Sequence, residues 1–171
     1  MKYHKIDSSL FIKNRKKLVE MMKPNSVAFF NSNDIYPISA DSTLPFEQHR
    51  DIFYLSGVDQ EESVLMLCPN ASDPKHREVL FLKETNEHIA IWEGKKLTKQ
   101  QAFETSGIKS VFWINEMEKV IDKVVMHCES IYYNHNEHYR ANVEVETREE
   151  RFNKWLENKF PKIKKDRSNP V

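Results

Sequence analysis

Two apolar runs, Ser63-Val-Leu-Met-Leu67 and Glu78-Val-Leu-Phe-Leu82, constrain this chain more than anything else in it. Neither alternates polar with apolar residues, and Pro69 and Pro74 break the chain between them. A strand wetted on one face alternates, whereas a strand without alternation needs cover on both faces. The chain is therefore expected to build a sheet with helices on either side. Ser26-Val-Ala-Phe-Phe30 reads as a third buried strand, and 110–113 and 130–133 as two shorter ones.

The covering helices are legible as well. One is expected from Ser9 to Met22, capped by Ser8 or Ser9 and stopped ahead of Pro24, with Phe11, Leu18, Met21 and Met22 on one face. Thr98 and Gln101 form a capping box, with Gly107 at the expected stop. Met117, Val120, Ile121, Val124, Val125 and Cys128 repeat at helical spacing behind Asn115 as the cap. Thr147 and Glu150 make a second capping box for a helix carrying Phe152, Trp155, Leu156 and Phe160, which Pro161 closes. The stretch 31–50 is polar, contains Pro37 and Pro45, and reads as a long irregular connection. The expected order is α-β-β-β-α-β-α-β-α, with the middle strands suited to a hairpin. This is one α/β domain over 1–161, a mixed β-sheet flanked by helices, with 162–171 as the start of a linker.

Charge excludes some partners. Lys plus Arg and Asp plus Glu are both 26, so no surface of one sign is expected to track a phosphate backbone, and nucleic acid is not an expected partner. The longest apolar runs are about five or six residues, where a membrane helix needs roughly 20. The opening residues MKYHKIDSSL lack an apolar signal-peptide core. With Cys68 and Cys128 the only cysteines, no disulfide framework is expected, and a reducing cytoplasm is the simplest home.

Most candidate chemistry has a plainer reading. His135 and His138 stand three apart, but Asn134 and Asn136 suggest a loop and no third ligand stands at a metal-site spacing. Cys128 falls on the apolar face of its helix and reads as a core residue, and Cys68 has no neighbouring cation in sequence to activate it. Glu61-Glu62 and Glu149-Glu150 are adjacent carboxylates, whose side chains diverge on any regular element, so they read as solvated faces. Three glycines could scarcely build a phosphate-binding loop or a nucleophile elbow.

Two stretches are less ordinary. Ser39-Ala-Asp-Ser42, Pro45-Phe46-Glu-Gln48 and Asp51-Ile-Phe-Tyr54-Leu-Ser-Gly57 gather aromatics, an acid and a turn glycine in a polar connection, to be read as a loop pinned by Phe46, Phe53 and Tyr54. Ile91-Trp92-Glu-Gly94-Lys95-Lys96 sets a Trp beside a glycine and two lysines, between a strand and a helix. Either a partner or ligand covers that Trp, or it folds back onto its own domain.

Taken in order with Leu97 and the helix to Gly107, these stretches resemble the N-terminal signature of Xaa-Pro aminopeptidases, the aminopeptidase P family, over most of residues 5–160. Arginine is common in the family where Lys95 and Lys96 stand. The resemblance implies an N-terminal domain like that of creatinase and prolidase. A C-terminal pita-bread domain would follow, with two divalent metal ions, usually manganese, removing the first residue from Xaa-Pro peptides. The chain ends near where that domain would begin, so it is expected to be an inactive piece of a longer enzyme, without catalytic residues, metal or cofactor of its own. Its implied partners are its own catalytic domain, further copies in a homo-oligomer, and the Xaa-Pro substrates. Trp92 and Asp41 occupy the positions that would line substrate access in a neighbouring subunit. A non-catalytic peptide-binding module of peptidase-like fold, or the N-terminal domain of a prolidase, are the other readings.

Overall fold

The computed structural model describes residues 6–135 and 145–167, the side chains of Trp92, Glu93 and Arg167 excepted. Helix α1 (Ser8–Met21) leads into β1 (Ser26–Asn31), a small hairpin of β2 (Pro37–Ser39) and β3 (Ser42–Thr43), and helix α2 (Arg50–Ser56). Strands β4 (Val64–Leu67) and β5 (Glu78–Leu82) follow, then α3 (Glu87–Glu93), α4 (Lys99–Ser106) and β6 (Ser110–Trp113). The described chain ends with α5 (Met117–Val125), β7 (Ser130–Tyr133), α6 (Arg148–Lys159) and β8 (Lys164–Arg167).

Six strands form one mixed sheet in the order β6-β5-β4-β1-β7-β8. Strand β4 runs antiparallel to both β1 and β5, while the remaining pairs are parallel. The unalternating strands feed two cores. Val27 and Phe29 of β1, Val64 and Met66 of β4, and Val79 and Phe81 of β5 face one side, against Val120, Ile121, Val124 and Val125 of α5 and Phe152 and Leu156 of α6. Ala28, Phe30, Leu65, Leu67, Leu80 and Leu82 face the other, against Leu18 of α1, Ile52 and Leu55 of α2, and Ala102 of α4. Each of these large side chains is withdrawn from water and contributes about 1.5–3 kcal/mol. The result is the expected three layers, with β4 and β5 as the expected hairpin.

The second layer is keyed by a charge. Arg15 of α1 is 0% exposed. Its Nη1 donates to the carbonyls of Leu55 at 2.8 Å and Ser106 at 2.9 Å, and its Nε to Glu78 Oε2 at 3.1 Å. One guanidinium thus caps the last turns of α2 and α4, whose own ends leave carbonyls without helical partners. Both helices stop at left-handed glycines, Gly57 at φ 69° and Gly107 at φ 74°. A Cβ at Gly57 would stand 2.3 Å from the Phe11 ring, so close packing as well as φ requires glycine there.

Several local expectations change. Helix α1 is capped by Asp7, whose side chain accepts from Ser9 N–H, and Met21 is exposed instead of sharing the buried face. The loop expected around 50–57 is helix α2, and Ile52 and Leu55 hold it to the core while Tyr54 is exposed. The first half of the Trp92 stretch, 91–93, is the end of helix α3, which is started by Asn86, whose side chain accepts from Ile89 N–H. Seven residues are too few to show a helical period. Cys128 lies past the end of α5, not on it. Residues 164–167, expected as linker, pair with β7 as edge strand β8. Lys-Lys-Asp-Arg carries no apolar signal because an edge strand needs none, and charge on an edge discourages pairing with other chains.

Candidate functional site

The Asp41 stretch sits on the β2–β3 hairpin. Ala40 takes φ 49° and Asp41 completes a two-residue turn between the strands, fully on the surface. Ile35, Tyr36, Ile38 and Leu44 are exposed around it. The hairpin's base is tied down: Leu44 N–H donates to Tyr36 O at 2.9 Å, Asn33 Nδ2 to Glu47 O at 2.9 Å, and Arg151 Nη2 of α6 to Asp34 Oδ1 at 2.8 Å.

Two further residues of the same stretch have assigned work. Gln48 Nε2 donates to Val58 O at 3.0 Å and to Gln60 O at 2.9 Å. In its neutral form, His49 accepts at Nδ1 from Asp51 N–H at 3.3 Å and so caps α2. Its Nε2 lies 3.3 Å from Glu149 Oε2 of α6, and Asn134 Nδ2 lies 3.3 Å from both ring nitrogens. Burial disfavours the imidazolium, but the hydrogen bond to Glu149 and the charges of Asp51 and Glu149 outweigh it, and the His49 pKa is raised. A cavity of about 260 Å³ opens beside this pair, lined also by Asp34, Tyr36 and Arg148.

The Trp92 stretch is moored to the same turn. Helix α3 ends at Gly94 with φ 77°, and Lys96 ion-pairs with Glu61. Leu97 N–H donates to Gln60 Oε1 at 2.7 Å. Ile91 is exposed on α3, and the side chain of Trp92 lies outside the described residues. Between this segment and Phe11 and Phe53 runs a groove of about 820 Å³, with Lys95, Lys96 and Glu61 among its polar lining.

Sequence reasoning missed Gln60, Glu61 and Glu149. The adjacent carboxylates were expected to be solvated, yet Glu61 is 7% and Glu149 6% exposed, each beside a cation or histidine that arrives from a distant element. No local signal in Asp59-Gln60-Glu61-Glu62 could have shown that. Of the histidine pair, His135 is exposed and His138 lies outside the described residues. Among the described residues no group of three His, Cys, Asp or Glu could hold a metal ion. No described helix is long and apolar enough to cross a membrane. Cys68 and Cys128, by contrast, approach to 3.8 Å between sulfurs.

A mixed sheet between two helical layers, with the segments after both surface motifs tied to one buried turn, defines a three-layer α/β domain. The aminopeptidase P N-terminal domain model matches residues 11–132, and the chain belongs to that family. It is 28% identical over 144 residues to the Xaa-Pro aminopeptidase of Escherichia coli K12, covering 84% of this chain and 32% of that protein. Aminopeptidase P from E. coli superposes with a TM-score of 0.72 at 26% identity, covering 93% of this chain and 34% of that one. A putative aminopeptidase P from Bacillus anthracis shares the fold at a TM-score of 0.82 and 22% identity, over 95% of this chain and 38% of that one. The chain spans about a third of the length of the curated relatives it matches.

Proposed function

We propose that this chain is the non-catalytic N-terminal domain of a metalloaminopeptidase that removes the first residue from Xaa-Pro peptides, and that it serves subunit assembly and substrate access. The observation that carries the reading is the shared mooring of the two motif segments. The hairpin bearing Asp41 and the helix bearing Trp92 are exposed, and the segments that follow them, at Gln48 and Leu97, both bond to Gln60. A rigid base under a projecting tip suits contact with a neighbour. The exposed apolar residues around Asp41 suit an interface between subunits.

In this reading the catalytic pair of divalent ions, manganese by resemblance, belongs to a following domain and draws no ligand from this one. Those ions would lower the pKa of a bound water and polarise the scissile carbonyl. This chain's part is to position. Asp41 offers a carboxylate to a basic group at the rim of a neighbour's site, and Trp92 an aromatic face for a proline ring. Lysine in place of arginine at 95 and 96 gives up bidentate pairing with anions, so no such role is assigned there. The enzyme would work in the cytoplasm.

The test is hydrolysis of an Xaa-Pro peptide with manganese, comparing this chain with the same chain carried on into its downstream reading frame. Only the extended protein should cleave. In that protein Trp92→Ala should lower kcat/KM by roughly tenfold, the loss of about 1.4 kcal/mol of transition-state binding, with melting temperature unchanged. Cleavage by the chain alone would overturn the reading. The 820 Å³ groove beside α3 favours the second reading, a peptide-binding module. Saturable micromolar binding of proline-rich peptides by the isolated chain would move that reading ahead.

A further inference from the structure

The cysteines stand apart from both motif segments. Cys68 follows the last residue of central strand β4 and is 2% exposed. Cys128 follows the end of α5 and is half-buried, its Sγ 3.5 Å from Val124 O. They are 60 residues apart in sequence, yet their sulfurs are 3.8 Å apart. A cavity of about 340 Å³ reaches them, lined also by His76, Lys123 and His127. The cavity puts both cysteines on a lining that a small reagent can reach. We propose that Cys68 and Cys128 form a peroxide-reactive dithiol site, in which Cys68 is the attacking sulfur and Cys128 the resolving one.

The surroundings divide those roles. The sulfur–sulfur hydrogen bond with Cys128 holds the Cys68 pKa below the ordinary range, against burial and with help from the backbone N–H groups of Ala71 and Asn70. The same hydrogen bond, together with burial, pushes the Cys128 thiol up. The thiolate is the nucleophile, and a low-pKa cysteine beside a second thiol is the arrangement that oxidises reversibly.

The chemistry balances with a hydroperoxide as the oxidant. The Cys68 thiolate attacks the terminal oxygen. An S–O bond forms, the O–O bond breaks, and the departing alkoxide or hydroxide takes up the proton that Cys68 released on ionising. The Cys128 thiol then gives up its proton and its sulfur attacks the Cys68 sulfur. An S–S bond forms, the S–O bond breaks, and the leaving hydroxide takes the Cys128 proton as water. Two thiols and one hydroperoxide become a disulfide, an alcohol (or water) and water, with two electrons passing from sulfur to the O–O bond. Closure needs the sulfurs to approach from 3.8 Å to about 2 Å, and Cys128 lies beyond the helix end, where the backbone can yield. The bond would pin the end of α5 to the end of β4.

The experiment is hydrogen peroxide at a few equivalents on the 171-residue chain at neutral pH, followed by thiol alkylation and mass spectrometry without reduction. The expected product is a monomer lighter by two hydrogens, with Cys68 and Cys128 peptides crosslinked, reversed by dithiothreitol. Its melting temperature should rise by roughly 5–10 °C. Cys128→Ser should stop at a Cys68 sulfenic acid that dimedone traps, while Cys68→Ser should consume peroxide at least tenfold more slowly. The proposal is overturned if both thiols stay reduced while free cysteine in the same solution is consumed. It is equally overturned if oxidation yields only intermolecular dimers or irreversible acids. The wild-type result decides even where a serine variant fails to fold.

Discussion

The side-chain amide of Gln48 donates to the backbone carbonyl of Gln60 at 2.9 Å, and Gln60 Oε1 accepts from Leu97 N–H at 2.7 Å. The end of the hairpin segment and the start of α4 are thereby fastened to one residue that is 4% exposed. The two stretches that looked unusual in the sequence are joined in space through one buried residue.

Gln48→Met keeps the volume and removes the donor from the carbonyls of both Val58 and Gln60. Taking one partner from a part-buried hydrogen bond costs about 1–3 kcal/mol. Urea unfolding should show that loss at unchanged m-value. Amide exchange at Leu44 should also quicken, since its bond to Tyr36 O closes the hairpin above this anchor. A loss below about 0.5 kcal/mol, the range of ordinary surface substitutions, would show that the hairpin is held by other contacts.

The layers of this fold were legible and its anchors were not, for a common reason. Val27, Phe29, Leu65 and Phe81 announce buried strands because burial acts on each residue by its own chemistry. The capping boxes at Thr98 and Thr147 are complete within four residues, and both form. Arg15, Gln60 and Glu149 depend on partners 37 or more residues away, at Leu55, Leu97 and His49. A charged or amide residue in a single sequence is indistinguishable from a solvated one until the fold supplies that partner. Helix α3 escaped because seven residues show no period, and β8 because an edge strand of Lys-Lys-Asp-Arg reads as a tail. Asp41 and Trp92 were found through resemblance, and position alone would not have singled them out.

His49 joins α2 to α6 through Glu149, with Asp51 on its own helix and Asn134 after β7 completing its surroundings. Its raised pKa means that the folded state holds the proton more tightly than the unfolded chain does. The stabilisation is therefore complete below the ordinary value of 6.5 and is lost as pH rises through the higher folded value. Asp51, raised by burial, works in the same sense, favouring the folded state below its ordinary 3.8 and losing that as pH rises through its higher folded value. Urea unfolding compared at about pH 6, below the ordinary imidazole value, and at about pH 8.5, well above it, should show the wild type losing more stability than His49→Gln. Parallel losses in the two proteins would mean that the imidazole carries no charge against Glu149.

The strand at 164–167 decides where this domain stops. If 162–171 were linker, a chain ended at residue 161 would melt like the full one. In the structure that cut removes a parallel partner of β7 along Ser130–Tyr133 and the Ile163 side chain packed on the α5–α6 core. Lost ladder hydrogen bonds at about 1 kcal/mol each, with the apolar area of one partly buried Ile, predict a loss of about 2–4 kcal/mol. The Lys23–Asp166 pair at 2.7 Å also goes, but the Lys23 side chain is 50% exposed, and pairs screened by water contribute little. Asp166→Asn in the full chain should consequently cost far less than the truncation, which assigns the difference to the strand. The shortened chain also bares the edge of β7, so light scattering should show self-association that grows with concentration. Equal melting temperatures for the two lengths would return 162–171 to the linker and leave β7 as the natural edge of the sheet.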